Sequence, residues 1–165
     1  MDHLKKKYPI LSQKNILGSS QVGINAPIVV FLMDRIIISD DKVTREESDT
    51  FNELAEQYGE LFGFGSFTFQ AELMRIGKIY ENYISLSEDA RMVSEAIDFV
   101  ANEFDQKQKI AIIHILEELA ISDSVLNNKE LSILFSIAEA YTEERDEIIK
   151  VFARIYERII KVKST

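Results

Sequence analysis

Two pairs of acidic residues stand out for their spacing. Asp40 and Glu47 are seven residues apart, and Asp123 and Glu130 repeat that interval. Carboxylates are hard oxygen donors, so four of them with no cysteine and no nearby histidine suit Ca²⁺ or Mg²⁺ rather than zinc or copper. Clustered without compensation they would repel one another, and a divalent ion or the flanking Lys42, Arg45 and Lys129 can supply the opposite charge. The spacing is not that of an EF-hand, since no Asp-x-Asp-x-Asp-Gly run is present. A second chemistry fits the same residues. Thr44-Arg45-Glu46-Glu47 reads as a capping box, and Asn127-Asn128-Lys129-Glu130 repeats it with Asn as cap. Capping contributes about 1 kcal/mol per helix start, enough to account for these residues without a ligand.

Other signals for chemistry are sparse. There are no cysteines, which removes disulfides, thiolate metal sites and cysteine nucleophiles. Gly18 and Gly23 have phosphate-loop spacing, but Ile24-Asn25 follows where Lys-Ser/Thr is required. Gly63-Phe64-Gly65 follows a helical pattern, not a strand, and no GxSxG or HExxH is present. The expectation is a protein that is not an enzyme. His114 lies in an apolar stretch and is expected to be a packed core histidine. Lys150, Arg154, Arg158 and Lys161 recur at helical spacing and read as a solvated basic face that complements the helix dipole.

Charge sets the choice of partner. Lys and Arg number 19 against 28 Asp and Glu, a formal −9. Such a surface repels phosphate, which argues against nucleic acid and favours cations or a basic protein partner. The longest apolar stretch, Ala26 to Ile38, is broken by Asp34 and Arg35, and a bilayer needs about 20 residues. The basic start has no apolar run behind it to make a secretory signal. No membrane insertion and a cytoplasmic location are therefore expected.

The elements that must position the acids are helical. Residues 1–23 read as a mobile or loosely docked arm, and 24–165 as one helical domain. Ile24–Ser39 and the IAIIHILEELAI stretch are apolar on nearly all sides, as central helices are. Phe51, Leu54, Ala55 and Tyr58 share one face of a helix over 46–58, and Phe69, Leu73, Ile76, Tyr80 and Tyr83 mark the next. Ser87 and Asp105 are candidate N-caps; further helices are expected over 128–140 and 142–161. About seven helices with short connections and no alternating strand pattern predict an all-α orthogonal bundle.

The bundle is expected to rest on a duplication. Residues 28–60 align without gaps on 111–143, an offset of 83. Identities include Ile38/Ile121, Ser39/Ser122, Asp40/Asp123, Glu47/Glu130, Ala55/Ala138 and Tyr58/Tyr141, and Asp34 meets Glu117. Eight of the 33 positions are identical, where background composition gives roughly two. Each copy is a central apolar helix, an acidic turn and an amphipathic helix. If the copies pack about a pseudo-twofold axis, Asp40, Glu47, Asp123 and Glu130 converge.

This turn, occurring twice between helices, resembles the TerB family of tellurite-resistance proteins and is similar to the related N-terminal domain of DjlA-type co-chaperones. The family pattern, Ala-Asp-Gly-x-Val-Ser-x-x-Glu, corresponds to Ser39–Glu47 and Ser122–Glu130. The Asp, the apolar residue and the Glu match in both copies, whereas the Gly is replaced by Asp41 and Ser124. The resemblance covers roughly 24–162. It implies an all-helical fold, a cytoplasmic bacterial stress-response or phage-defence setting and a metal-binding acidic face, with no established reaction. The expected function is thus a non-enzymatic stress-response or interaction protein, binding Ca²⁺ or Mg²⁺ through the acidic turns. The alternative is an acidic antitoxin or immunity-type module that neutralises a basic protein.

Overall fold

A computed structural model of the chain describes residues 2–12, 25–37, 45–62, 66–83, 86–121, 128–140 and 145–164. The helices are α1 (Asp2–Lys7), α2 (Asn25–Ile37), α3 (Arg45–Tyr58), α4 (Ser66–Tyr83), α5 (Leu86–Glu103), α6 (Gln106–Ile121), α7 (Asn128–Ala140) and α8 (Arg145–Ser164). Short 3-10 turns cover Pro9–Ser12 and Gly59–Phe62, and no strand occurs among the described residues. From α2 to α8 this is the all-α bundle of seven helices that the periodicity predicts.

Two apolar helices form the centre. Ala26 to Asp34 of α2 are buried without interruption, so this helix has no solvent face over that stretch. Pro27 lies in its first turn, where the missing N–H breaks no helical hydrogen bond. In α6, Ala111, Ile112, Ile113, Ile115, Leu116 and Leu119 are buried. The two helices pack on each other, with α4, α5 and α7 also against α2, and α3, α7 and α8 also against α6. Phe51, Leu54 and Ala55 of α3 enter the core as their spacing requires, and Tyr58 is half-buried.

Asp105 starts α6 as expected. Its Oδ1 accepts the Gln108 N–H at 2.9 Å, and Gln108 Oε1 accepts the Asp105 N–H at 3.1 Å. This reciprocal box satisfies two backbone donors at one helix start. Ser87, in contrast, lies inside the first turn of α5, which begins at Leu86. Leu86 is apolar yet helical, so the boundary falls two residues earlier than a Ser87 cap suggests.

The first residues are not a loose arm where they are described. Tyr8, Ile10 and Leu11 are buried, and their 3-10 turn packs on α5. The Ile10 N–H donates to Glu95 Oε2 at 2.7 Å, and Arg91 in turn holds Glu95 Oε1 at 2.7 Å. The Tyr8 ring meets Phe99 edge-on at 5.0 Å, while its hydroxyl donates to Glu103 Oε1 at 2.9 Å. Burying each of the two aliphatic side chains contributes about 1.5–3 kcal/mol. The three lysines at positions 5–7 dominate the composition of this stretch and conceal the apolar Tyr8-Pro9-Ile10-Leu11 behind them.

Candidate functional site

Of the four acids in the repeated turns, Asp40 and Asp123 lie outside the described residues. Glu47 and Glu130 are placed by backbone alone: each is the third residue of its helix, α3 and α7 respectively. Equal register in the two first turns follows from the sequence, because both helices open directly after the acidic turn. The capping boxes proposed at Thr44 and Asn127 also fall outside the described residues.

The described charge chemistry sits deeper, at the C-terminal ends of the two central helices. Asp34 of α2 is 2% exposed and is bound by the guanidinium of Arg35. Arg35 Nη1 also faces Asp89 Oδ2 of α5 at 3.7 Å, and its guanidinium carbon lies 5.8 Å from the centre of the Phe31 ring. A Cβ built on Gly77 would stand 4.0 Å from Asp34 Oδ1, so this carboxylate faces α4. On α4 itself, the buried Glu72 is held by Arg75 one turn on, with Nη2 to Oε2 at 2.7 Å.

Glu117 of α6, the counterpart of Asp34 at the 83-residue offset, is 4% exposed. Arg154 of α8 holds it in a fork, Nε to Oε1 at 2.8 Å and Nη2 to Oε2 at 3.1 Å. This charge-assisted pair raises the Arg154 pKa further above its ordinary value, chiefly through the hydrogen bonds to Glu117. His114 bridges two acids: Nδ1 lies 3.3 Å from Glu117 Oε2, and Nε2 lies 3.1 Å from Glu147 Oε1. His114 is therefore a half-exposed bridging residue, and the expected packed core histidine is not found. The position aligned with Phe31 lies on the side of α6 that meets α8, where α8 presents polar residues. Arg154 likewise departs from the solvated face expected of it, because it turns inward to neutralise Glu117. Spacing along α8 does not distinguish Arg154 from its neighbours. The available signal is an acid in a helix otherwise apolar all round, which needs a cation from elsewhere in the chain.

Tyr58, the last residue of α3, approaches the same region. Burial pushes its phenol pKa up, and the charges of Glu118 and then Glu117 add to the shift. So α3 ends beside the last two turns of α6. A helix of 14 residues is about 21 Å long, which puts Glu47 at the end of α3 remote from Glu117 and Glu118.

The chemistry of this arrangement is charge neutralisation inside a packed bundle. Among the described residues, no group of three or more His, Asp and Glu is arranged to hold a metal. In the Glu117–His114–Glu147 chain, Arg154 already occupies the cation position, 3.9 Å from Glu147 as well as bound to Glu117. The family model of tellurite resistance protein TerB matches residues 27–151, most of the chain and both acidic turns. The chain belongs to the TerB family. No curated protein and no solved structure matches it. The TerB match begins at Pro27 in the first turn of α2 and ends at Val151 in α8, so the buried Tyr8–Leu11 segment lies outside it. Among its described residues, this TerB protein has no helix long and apolar enough to cross a membrane.

Proposed function

We propose that this TerB protein is a non-enzymatic interaction protein of a bacterial stress response that binds Ca²⁺ or Mg²⁺ through its acidic turns. The observation that carries the reading is that one family match spans both turns, with Glu47 and Glu130 at the same position of the helix that follows each. Packing supports a duplication: α2 meets α6 at the centre, α3 of the first unit lies on α6, and α7 of the second lies on α2. Each unit thus places its second helix on the other unit's first. The non-enzymatic part is supported by the state of the buried acids, since Asp34 and Glu117 are each engaged by an arginine.

The length of α3 favours a separate ion at each turn, Asp40 with Glu47 and Asp123 with Glu130, over one centre shared by all four. Two carboxylates per ion leave most of its coordination to backbone carbonyls and water, which places affinity in the range of about 10⁻⁴–10⁻³ M. Calorimetric titration of the whole chain with CaCl₂ and with MgCl₂ tests this. Expected is saturable binding of two ions per chain in that range, reduced to one by Asp40→Asn with Glu47→Gln and to none when Asp123→Asn with Glu130→Gln is added. Absence of saturable binding, or binding untouched by all four substitutions, overturns the cation reading and leaves the turns as helix caps.

A further inference from the structure

The outer face of α8 carries large apolar side chains that the bundle does not cover. Ile149 is 56% exposed and Tyr156 66%, with the exposed Ala153 between them at helical spacing. Beside this stripe, Phe135 of α7 is 56% exposed and stacks on Phe152 of α8, centroids 5.0 Å apart and planes 19° from parallel. With aromatic side chains offering roughly 150–250 Å² each, the patch leaves on the order of 300 Å² of apolar surface per copy.

We propose that this face pairs with a second copy of the same chain, α8 against α8 in antiparallel orientation about a twofold axis near Ala153. Charge complementarity selects this occupant. Lys150 and Glu157, both exposed, flank the apolar stripe on one side, one helical turn either side of Ala153 and Arg154. In an antiparallel pair the same flank of each helix faces its own copy, so Lys150 of one chain meets Glu157 of the other twice over. Ile149 then lies beside Tyr156 of the second copy, and Ala153 faces Ala153, where a small side chain permits close approach. The ends also match: the first turn of α8, Arg145-Asp146-Glu147, is net acidic, and the helix finishes in a stretch containing Lys161 and Lys163. Antiparallel packing sets each acidic start against a basic end and opposes the two helix dipoles. A parallel arrangement would place like charges together.

Self-complementarity of this kind defines an isologous interface. Its area falls below the roughly 1,200 Å² of standard interfaces, so the expected dimer is weak and transient. The −9 charge of each chain opposes association at low salt, and at about 0.15 M screening over roughly 8 Å reduces that cost more than it weakens contacting pairs.

Sedimentation velocity and equilibrium on the full chain at 1–500 μM tests the proposal. Expected is a monomer–dimer equilibrium that Ile149→Glu abolishes. Lys150→Glu and Glu157→Lys should each weaken the dimer several-fold, and the double variant Lys150→Glu/Glu157→Lys should restore it. Both charge variants are on exposed positions and keep the test open should Ile149→Glu fail to fold. A wild-type chain monomeric at 500 μM overturns the proposal, as does a dimer indifferent to Ile149→Glu or a double charge variant no better than the singles. A monomer that binds a foreign partner through this patch overturns it as well.

Discussion

Arg154→Ala removes the cation that neutralises the deepest acid of α6. The Glu117 side chain is 5% exposed and that of Arg154 41%, so the pair is neither a core nor a surface one. Breaking a fully buried ion pair from one side costs about 3–5 kcal/mol, whereas exposed pairs are worth about 0–1 kcal/mol. Water reaches the network from the Arg154 side, and His114 Nδ1 remains 3.3 Å from Glu117. The expected loss is therefore about 2 kcal/mol. In a chain of this length each kcal/mol moves the thermal midpoint by about 2–4 °C, which gives a fall of about 4–8 °C. Glu117→Met with Arg154→Met removes both charges for unbranched apolar chains, and is expected to return to within about 1 kcal/mol of the parent. Urea unfolding and calorimetry at pH 7 on the parent, Glu117→Met, Arg154→Met and the double variant read the coupling directly. A loss below about 0.5 kcal/mol for Arg154→Ala would place the pair with ordinary surface contacts. A double variant as damaged as the sum of its singles would refute the argument that the arginine is there to neutralise the acid.

Two further perturbations address the N-terminal segment. Ile10→Ala empties a site that is 0% exposed and should lower stability by about 2–4 kcal/mol in urea unfolding, where a loose arm would show no change. Glu103→Gln probes pH dependence. Hydrogen bonds from Lys7 and then from the Tyr8 hydroxyl hold the Glu103 pKa below its ordinary 4.5, so the folded state favours the carboxylate. That contribution is present above the unfolded value and is lost as pH falls through the lowered folded one. The Lys7 pKa is raised from 10.5 by the same contact, so its share is lost only above that value. Melting curves should show Glu103→Gln below the parent at pH 7 and level with it once the parent's carboxyl is protonated, well under pH 4.5.

Elements whose identity rests on their own residues were legible in the sequence. The apolar runs of α2 and α6 mark them as central, and Asn128–Ala140 is bounded as its periodicity predicts. Asp105 caps α6 because a cap is a local hydrogen bond, readable from residues three apart. What was hidden depends on contacts between distant segments. Periodicity reveals that one side of a helix is buried but not what covers it, so Arg154, 37 residues from Glu117, looks like any lysine or arginine of its stripe. The same blindness applies to Tyr8-Pro9-Ile10-Leu11, too short to show a period, whose burial is decided by α5. The acidic turns are legible as a repeated pattern, and Glu47 and Glu130 fall in matching first turns. Their ligand chemistry is not, because Asp-x₆-Glu serves a cap and a cation equally well.

The buried acids bear on that ambiguity. Asp34 and Glu117 stand six residues before Asp40 and Asp123, and the 83-residue alignment puts a buried acid at this position in both stretches. The counter-charge differs: Asp34 is neutralised by its own neighbour Arg35, Glu117 by an arginine two helices away. Coulomb attraction makes no demand on which helix donates the guanidinium, so the two acids reach neutrality by different routes, Asp34 facing α4 and Glu117 facing α8. Once paired, these two carboxylates add little negative potential to their surroundings. On the proposed cation reading, affinity at each turn would have to come from the turn's own Asp and Glu, so that stability and ion binding would rest on different acids.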